Sequence, residues 1–124
     1  MATFSKIAHQ ATTMTTGTGL GTLVVATTTL GTTIHTGANL ANILDEVWLY
    51  ANNTHSSAVT LTVEFGGVAA KDKIQTSLAL SAGGLILICA GLVLQGNTTP
   101  KVITAFAGTA SVVSIFGFVN RITS

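Results

Sequence analysis

Charged residues are scarce in this sequence. Only 7% of its 124 residues are Asp, Glu, Lys or Arg, and the formal net charge is +1, whereas soluble domains average about 25% charged residues. The densest basic stretch is Lys71-Asp-Lys73, so the chain lacks the clustered cations that bind nucleic acid through its phosphates. Apolar residues make up 48% of the sequence, which is too many for a disordered chain. We therefore predict a folded domain that binds no nucleic acid.

Cysteine and proline each occur once. The single thiol, Cys89, excludes a disulfide framework and a cysteine-based zinc site. Its place in an apolar run predicts a buried, unreactive side chain. His9, His35 and His55 are not at metal-ligand spacing from one another or from Cys89. We predict surface or turn positions for these histidines, and the alternative left open is one histidine repeated around a symmetry axis of three chains.

Combinations of residues that could carry catalysis are missing too. Asp45 and Glu46 are adjacent, so on a strand their side chains point to opposite faces and cannot act as an acid–base pair. Gly17-x-Gly19-x-Gly21 has Thr22 where a dinucleotide-binding loop has its third glycine, and strand-like residues follow it. No nucleophile-elbow sequence occurs. We predict that the chain is not an enzyme and that it binds no cofactor and no metal.

Uninterrupted apolar runs of membrane-spanning length are also missing. The uncharged segment 102–120 is broken by the turn-like sequence Gly108-Thr-Ala-Ser111, and the run from Leu85 to Leu94 has ten residues, whereas a spanning helix needs about 20. The first residues lack the charged region and apolar core of a secretory signal. We expect no membrane association and a protein made inside the cell.

The sequence is instead rich in strand-forming residues and regularly spaced turns. Threonine occurs 22 times, and its stiff β-branched side chain suits strands better than helices. Seven or eight short strands, spaced about 8–12 residues apart, predict an all-β fold. We expect an antiparallel β-sandwich, jelly-roll-like, with one hairpin joining 46–51 to 58–65 and another joining 102–106 to 112–119.

Residues 58–65 alternate most clearly between the two faces of a strand. The predicted inward set is Val59, Leu61, Val63 and Phe65. The predicted outward set is Thr60, Thr62 and Glu64.

The N-terminal third differs in composition from the rest. Residues 7–42 contain no charged side chain, and closely spaced Thr and Gly fill the stretch 15–21; such glycines weaken both helix and strand. We predict an extended Thr/Gly-rich arm over 1–21 and a single β-sandwich domain over 22–124.

Several predicted strands are apolar on both sides. In a two-layer sandwich the outer face of each sheet normally meets water and is polar, so two-sided apolarity indicates that another copy of the chain covers an outer face. A closed barrel with apolar walls is the alternative. The candidate oligomer-interface residues are Trp48, Tyr50, Ile86, Ile88, Phe116 and Phe118.

Three segments carry a resemblance to a known class of protein. They are Asp45-Glu-Val-Trp-Leu-Tyr-Ala-Asn-Asn-Thr54, Ala58-Val-Thr-Leu-Thr-Val-Glu-Phe-Gly-Gly67 and the closing run from Ala105 to Ile122. Over 45–122 the chain resembles small β-sandwich virion proteins of tailed bacteriophages, often capsid decoration (cement) proteins. The resemblance implies a homotrimer on the capsid surface that binds the major capsid protein, with the N-terminal arm reaching a neighbouring subunit and synthesis in the host cytoplasm. It implies no functional side chain.

Two other classes stay open. A tail, fibre or collar component of the same virion could have a host- or glycan-binding surface, for which Trp48 and Tyr50 are the candidate aromatic residues. An enzyme or ligand-binding barrel would need paired titratable groups or an internal pocket.

Overall fold

The chain folds into strands joined by short connections. A computed structural model describes residues 2–9 and 19–124. The strands in these ranges are β1 (Thr3–Ala8), β2 (Thr22–Val24), β3 (Thr32–Thr36), β4 (Ile43–Asn53), β5 (Val59–Phe65), β6 (Lys73–Leu80), β7 (Leu85–Gln95), β8 (Val102–Ala107) and β9 (Val113–Thr123). A short 3-10 turn, Ala70–Asp72, precedes β6.

The strands form two antiparallel sheets. The first sheet has the order β1-β9-β4-β7, with β2 also paired to β9, and the second has the order β3-β8-β5-β6. β1 pairs with residues 118–123 of β9 and β2 with residues 113–115. The two short strands therefore lie end to end along one edge of β9, while β4 runs along its other edge.

The order of the strands identifies the architecture. If β1 and β2 count as one interrupted strand, each sheet has four strands, and the chain changes sheet at every connection except the one from β5 to β6. Two four-stranded sheets linked in this way form a double-sheet jelly roll. The prediction of an all-β, antiparallel, jelly-roll-like sandwich is confirmed.

Both predicted hairpins are wrong. β4 and β5 lie in different sheets, and so do β8 and β9. Their connections cross side by side from one layer to the other, since the Thr54 amide donates to the Val112 carbonyl at 2.8 Å. Alternation along a strand tells which residues share a face but not which sheet the strand joins.

The hydrophobic core lies between the inner faces of the two sheets. Leu49 and Ile115 from the first sheet and Leu61 and Ile103 from the second are fully buried there. The predicted inward set on β5 is confirmed for Val59, Leu61 and Val63, which are buried, while Phe65 is half-buried and packs against the core.

The predicted outward set on β5 is wrong for two of its three members. Thr60 is exposed, but Thr62 and Glu64 are buried. Other parts of the chain cover the outer face of the second sheet at these positions. The Ser77 amide donates to the Thr62 hydroxyl at 3.0 Å, and the Thr29 hydroxyl donates to Glu64 Oε2 at 2.8 Å.

The predicted N-terminal arm lies partly outside the described residues, since 10–18 belong to it. Within it, Thr3–Ala8 is a strand that pairs with β9 of the same chain, from Thr3 opposite Thr123 to Ala8 opposite Phe118. The division into an arm over 1–21 and a domain over 22–124 stays a prediction.

Candidate interaction surface

Alternation along β4 and β9 places aromatic side chains on the outer face of the first sheet. On β4, Val47, Leu49 and Ala51 point into the core, so the residues between them point outward. In the register of β4 with β9, Trp48 lies opposite Phe118 and Tyr50 opposite Phe116. We call these four residues and their surroundings the aromatic face.

The centre of the aromatic face is a row of contacts that runs across three strands. The Trp48 and Phe118 rings are nearly parallel, with 8° between their planes and 6.0 Å between their centroids. On the other side of Phe118, Lys6 Nζ of β1 lies 4.7 Å from the ring centroid. A cation at this distance is attracted by the negative face of the ring. Lys6, Phe118 and Trp48 thus form one stack of side chains.

Polar groups border this stack. Glu46 Oε1 accepts hydrogen bonds from Trp48 Nε1 and from Asn120 Nδ2, each at 2.9 Å. These two hydrogen bonds lower the pKa of Glu46 below its usual value, and the bond from Trp48 has the larger effect. Glu46, Asn120, Lys6 and Phe4 border an open depression of about 350 Å³. The surface therefore combines an aromatic centre with a carboxylate and an ammonium group at its rim.

The chain itself covers part of the aromatic face. Its four aromatic residues are half-buried. The Trp48 indole leans over Gly91 of β7, where a Cβ would lie 3.0 Å from the ring, and Gly91 has a φ of +72° that favours glycine. Contacts within the chain therefore cover part of this face, and the expectation that another copy covers the rest stays a prediction.

The six candidate interface residues fall in three places. Trp48, Tyr50, Phe116 and Phe118 come together on the aromatic face, as described above. Ile86 lies on the edge strand β7 and is 39% exposed. Ile88 is 4% exposed and belongs to the core, so we leave it out of the surfaces proposed below.

Asp45 connects the two sheets inside the sandwich. Its carboxylate accepts two hydrogen bonds from Arg121 of β9, Nε to Oδ1 and Nη2 to Oδ2, both at 2.7 Å. His35 Nε2 of β3, in the second sheet, lies 2.8 Å from Asp45 Oδ2. Burial raises the pKa of Asp45, but the hydrogen bonds from Arg121 and His35 outweigh it and hold that pKa below its usual value.

We did not predict this buried cluster from the sequence, although the position of Asp45 on an apolar side of its strand indicates one. Asp45 shares its side of β4 with Val47, Leu49 and Ala51, and a charge on the apolar side of a strand needs a buried partner. The expectation that Asp45 and Glu46 point to opposite faces is confirmed, since Asp45 is fully buried and Glu46 lies on the outer face.

His9 is buried where β1, β2 and β9 meet. Its Nε2 lies 2.8 Å from the Thr22 hydroxyl and its Nδ1 lies 3.4 Å from the Gly117 carbonyl oxygen. The predicted surface or turn positions are wrong for His9 and His35, which are 4% and 0% exposed, because each imidazole has polar partners within the fold. His55 lies in the predicted turn, where its Nδ1 accepts from the Ser57 amide.

Acid is expected to destabilise the protein through His9. Burial is the main cause that lowers the pKa of His9 below 6.5. The hydrogen bond with the Gly117 carbonyl opposes this effect, and the electrostatic interaction with His35 adds a smaller lowering. The unfolded chain therefore takes up this proton at a higher pH than the folded chain. The stabilising contribution of neutral His9 is complete above about pH 6.5 and is lost as the pH falls. Urea unfolding of the natural protein and of His9→Gln from pH 7.5 to 5 measures it.

The comparison with His9→Gln isolates this histidine from His35 and His55. The difference in unfolding free energy between the two proteins is expected to shrink as the pH falls. A difference that stays constant over this range would contradict the assignment.

The described residues hold no cluster of three or more His, Cys, Asp or Glu side chains that could bind a metal ion. The expected burial of Cys89 is confirmed, and burial raises the pKa of its thiol. His35 and Asp45 form the histidine–carboxylate pair that many enzymes use, but both are fully buried. A substrate has no access to them in this conformation. Over the same ranges, no helix is long and apolar enough to cross a membrane.

Comparison with known proteins gives a structural likeness. No protein-family model and no curated protein sequence matches the chain. A chain in the structure of infectious bursal disease virus, Gx strain, superposes with a TM-score of 0.53 and 12% identity, over 98% of this chain. A chain in the T13 viral particle of the same virus gives a TM-score of 0.50 and 14% identity, also over 98%. At such low identity the likeness concerns the β-sandwich fold.

The two matched chains are much longer than this one. The chain spans about a third of their length, 32% and 31% respectively. The sandwich thus corresponds to one part of each.

Proposed function

We propose that this chain is a non-enzymatic virion structural protein of the capsid decoration type. It oligomerises, as a trimer, on the head of a tailed bacteriophage and stabilises the shell by binding the major capsid protein. The observation that carries the proposal is the complete jelly roll, a fold used for viral capsid domains, together with its similarity to chains of an icosahedral virus. The assignment to a tailed phage rests on the strand-and-turn resemblance over 45–122.

The chemistry of the surface supports a role in assembly. The chain has few charges, so little electrostatic repulsion opposes packing of many copies side by side. The aromatic face offers an apolar centre with a polar rim, as protein–protein interfaces do. Many copies on one lattice gain avidity even when each contact is weak. We place the contact with the major capsid protein on this face.

Glycan binding by a tail, fibre or collar component is the second candidate. The observation that favours it is the position of Trp48 and Tyr50 on an outer face, beside the carboxylate of Glu46 and the amide of Asn120. Jelly rolls also occur as lectin domains. A tail component would be present in few copies in each particle.

Counting the chain in purified virions separates these candidates. Quantitative mass spectrometry of purified particles of the phage that encodes the chain is expected to give a copy number comparable with that of the major capsid protein. A copy number of a few per cent of that value would favour the tail component. Complete absence from the particles would overturn both candidates.

Truncating the centre of the aromatic face is expected to weaken binding to the capsid. In Trp48→Ala the affinity for particles that lack the protein should fall by about 30-fold, the effect of losing a 2 kcal/mol hot-spot residue. Co-sedimentation of purified protein with such particles measures it. Leu40→Ala, which truncates an exposed apolar side chain in a loop, is the control and should bind normally. Unchanged binding of a folded Trp48→Ala variant would remove the aromatic face from the contact.

A further inference from the structure

Exposed apolar side chains concentrate at the two opposite edges of the first sheet. Twelve large hydrophobic residues are exposed in the described parts of the chain. Five of them lie on β7, namely Leu85, Ile86, Leu87, Leu92 and Val93. Four lie on or beside β1 and β2 at the other edge, namely Phe4, Leu20, Leu23 and Val25. We call these two regions the β7 edge and the β1/β2 edge.

The β7 edge lacks two of the usual protections of an edge strand. Residues 85–95 contain no charged residue and no proline, which normally keep an open edge from pairing. A third protection is present, since irregularities at Ile88 and Gly91 interrupt the pairing of β7 with β4, so we expect the exposed side chains to carry the contact. Apolar side chains are exposed on both of its faces, because Leu87 lies opposite outward-pointing Tyr50 and Ile86 opposite inward-pointing Ala51. Its main chain is capped at one point, where Gln75 Nε2 donates to the Ile88 carbonyl at 3.1 Å.

The β1/β2 edge matches the β7 edge in length and character. β1 and β2 together cover nine of the eleven residues of β9, and β7 also has eleven residues. The charged side chain that it carries, Lys6, lies over the Phe118 ring on the outer face. β7 itself carries no charged residue. The charged side chains Lys71, Asp72 and Lys101 border only its end, where they line a depression with Val93, Leu94 and Gln95.

We propose that copies of this chain join head to tail, with the β7 edge of one copy against the β1/β2 edge of the next. Pairing of the β7 edge with itself would leave the β1/β2 edge bare, whereas a head-to-tail contact buries both with a single type of interface. Repetition of such a contact closes a ring when the rotation permits. The number three comes from the proposed function, on which that part of the inference rests.

The exposed apolar side chains supply about two thirds of the area that a specific contact needs. The side chains on each edge expose roughly 400 Å² of apolar surface, a size that marks interaction sites on soluble proteins. One contact buries both edges, which is roughly 800 Å² before polar and main-chain atoms are included, and specific complexes begin near 1,200 Å² in total. The contact leaves the centre of the aromatic face free, so the same copy can bind its neighbours and the capsid.

Three lysine substitutions at matched positions test the contact. Leu87 on the β7 edge, Leu23 on the β1/β2 edge and Val68 in the loop after β5 are 46%, 44% and 45% exposed. Light scattering behind size exclusion is expected to give three times 12.6 kDa for the natural protein and for Val68→Lys. Leu87→Lys and Leu23→Lys should each give the monomer mass. Circular dichroism confirms folding, and Val93→Lys or Phe4→Ser replaces a variant that fails to fold.

Mixing the two edge variants distinguishes a head-to-tail contact from self-pairing. Leu87→Lys keeps an intact β1/β2 edge and Leu23→Lys keeps an intact β7 edge, so the mixture should form a pair of twice the monomer mass. Oligomers that persist in Leu23→Lys but not in Leu87→Lys would indicate self-pairing of β7 and overturn the proposal. A monomeric natural protein would overturn it as well.

The outcome for this contact is independent of the outcome for the function. A protein that is abundant in virions but monomeric in solution would keep the proposed structural role in the virion and refute both the trimer and the head-to-tail contact. A protein that forms the ring in solution but is absent from virions would support the head-to-tail contact and refute the proposed function.

Discussion

Replacement of Asp45 by alanine is expected to lower the free energy of unfolding by about 3–5 kcal/mol, since breaking a buried ion pair leaves an uncompensated charge. Arg121 loses both of its hydrogen bonds to the carboxylate, and its side chain is only 16% exposed. His35 loses its hydrogen bond to the same carboxylate. Small domains are stable by about 5–15 kcal/mol, so this loss is between a fifth and all of the total. Urea denaturation measures the change.

Asp72→Ala is the matched control. Asp72 pairs with Lys71 at 2.8 Å, but Lys71 is 81% exposed, and surface ion pairs contribute about 0–1 kcal/mol. Equal losses in the two variants would mean that the buried cluster does not hold the sheets together. The lowered pKa of Asp45 adds a pH dependence. Its contribution is complete above the unfolded value of 3.8 and is lost as the pH falls through the folded value, so Asp45→Asn should show a weaker loss of stability in that acid range.

Replacement of Glu64 by alanine is expected to lower the free energy of unfolding by about 2–4 kcal/mol, because three donors lose their acceptor and one of them, the Thr104 hydroxyl, is buried. The hydroxyls of Thr104 and Thr29 each donate to Glu64 at 2.8 Å, and the Gly31 amide donates at 3.4 Å. Thr29 and Gly31 lie in the connection between β2 and β3, so Glu64 fastens that connection to the outer face of the second sheet. Without it, the connection should be cut faster by a protease.

A double-mutant cycle separates this hydrogen-bond cluster from a general loss of packing. Thr104→Val keeps the shape of the side chain and removes the hydroxyl. Glu64→Ala and Thr104→Val should be coupled by about 1–2 kcal/mol, within the range found for residues that share a network. Additive losses would show that Glu64 acts through its volume and not through this bond. Glu64→Gln, which retains an acceptor oxygen, should lose less stability than Glu64→Ala.

The sequence predicted the features of the fold that depend on neighbouring residues. Alternation of apolar and polar residues located the strands and assigned Val59, Leu61 and Val63 to the core. It also placed Trp48 and Tyr50 together on one side of a strand. These predictions succeed because a strand alternates its side chains with a period of two residues, whatever it pairs with.

Features that depend on distant parts of the chain were not predicted. Glu64 has the local pattern of a solvent-facing residue, and the segment that buries it lies more than 30 residues earlier in the sequence. Asp45 and Arg121 are 76 residues apart. The pairing of β4 with β9 and β7, rather than with the neighbouring β5, brings such residues together, and a single sequence carries little information on that choice.

The position of Trp48 gives the protein an optical reporter. It is the only tryptophan in the chain, it is half-buried beside Phe118, and its indole N–H is bound to Glu46. Indole emission moves to shorter wavelength when water leaves its surroundings. Fluorescence of the unlabelled protein therefore reads out the environment of one known place, the centre of the aromatic face. Docking of another protein there should appear as a blue shift, whereas contacts confined to the β1/β2 edge should leave the spectrum nearly unchanged.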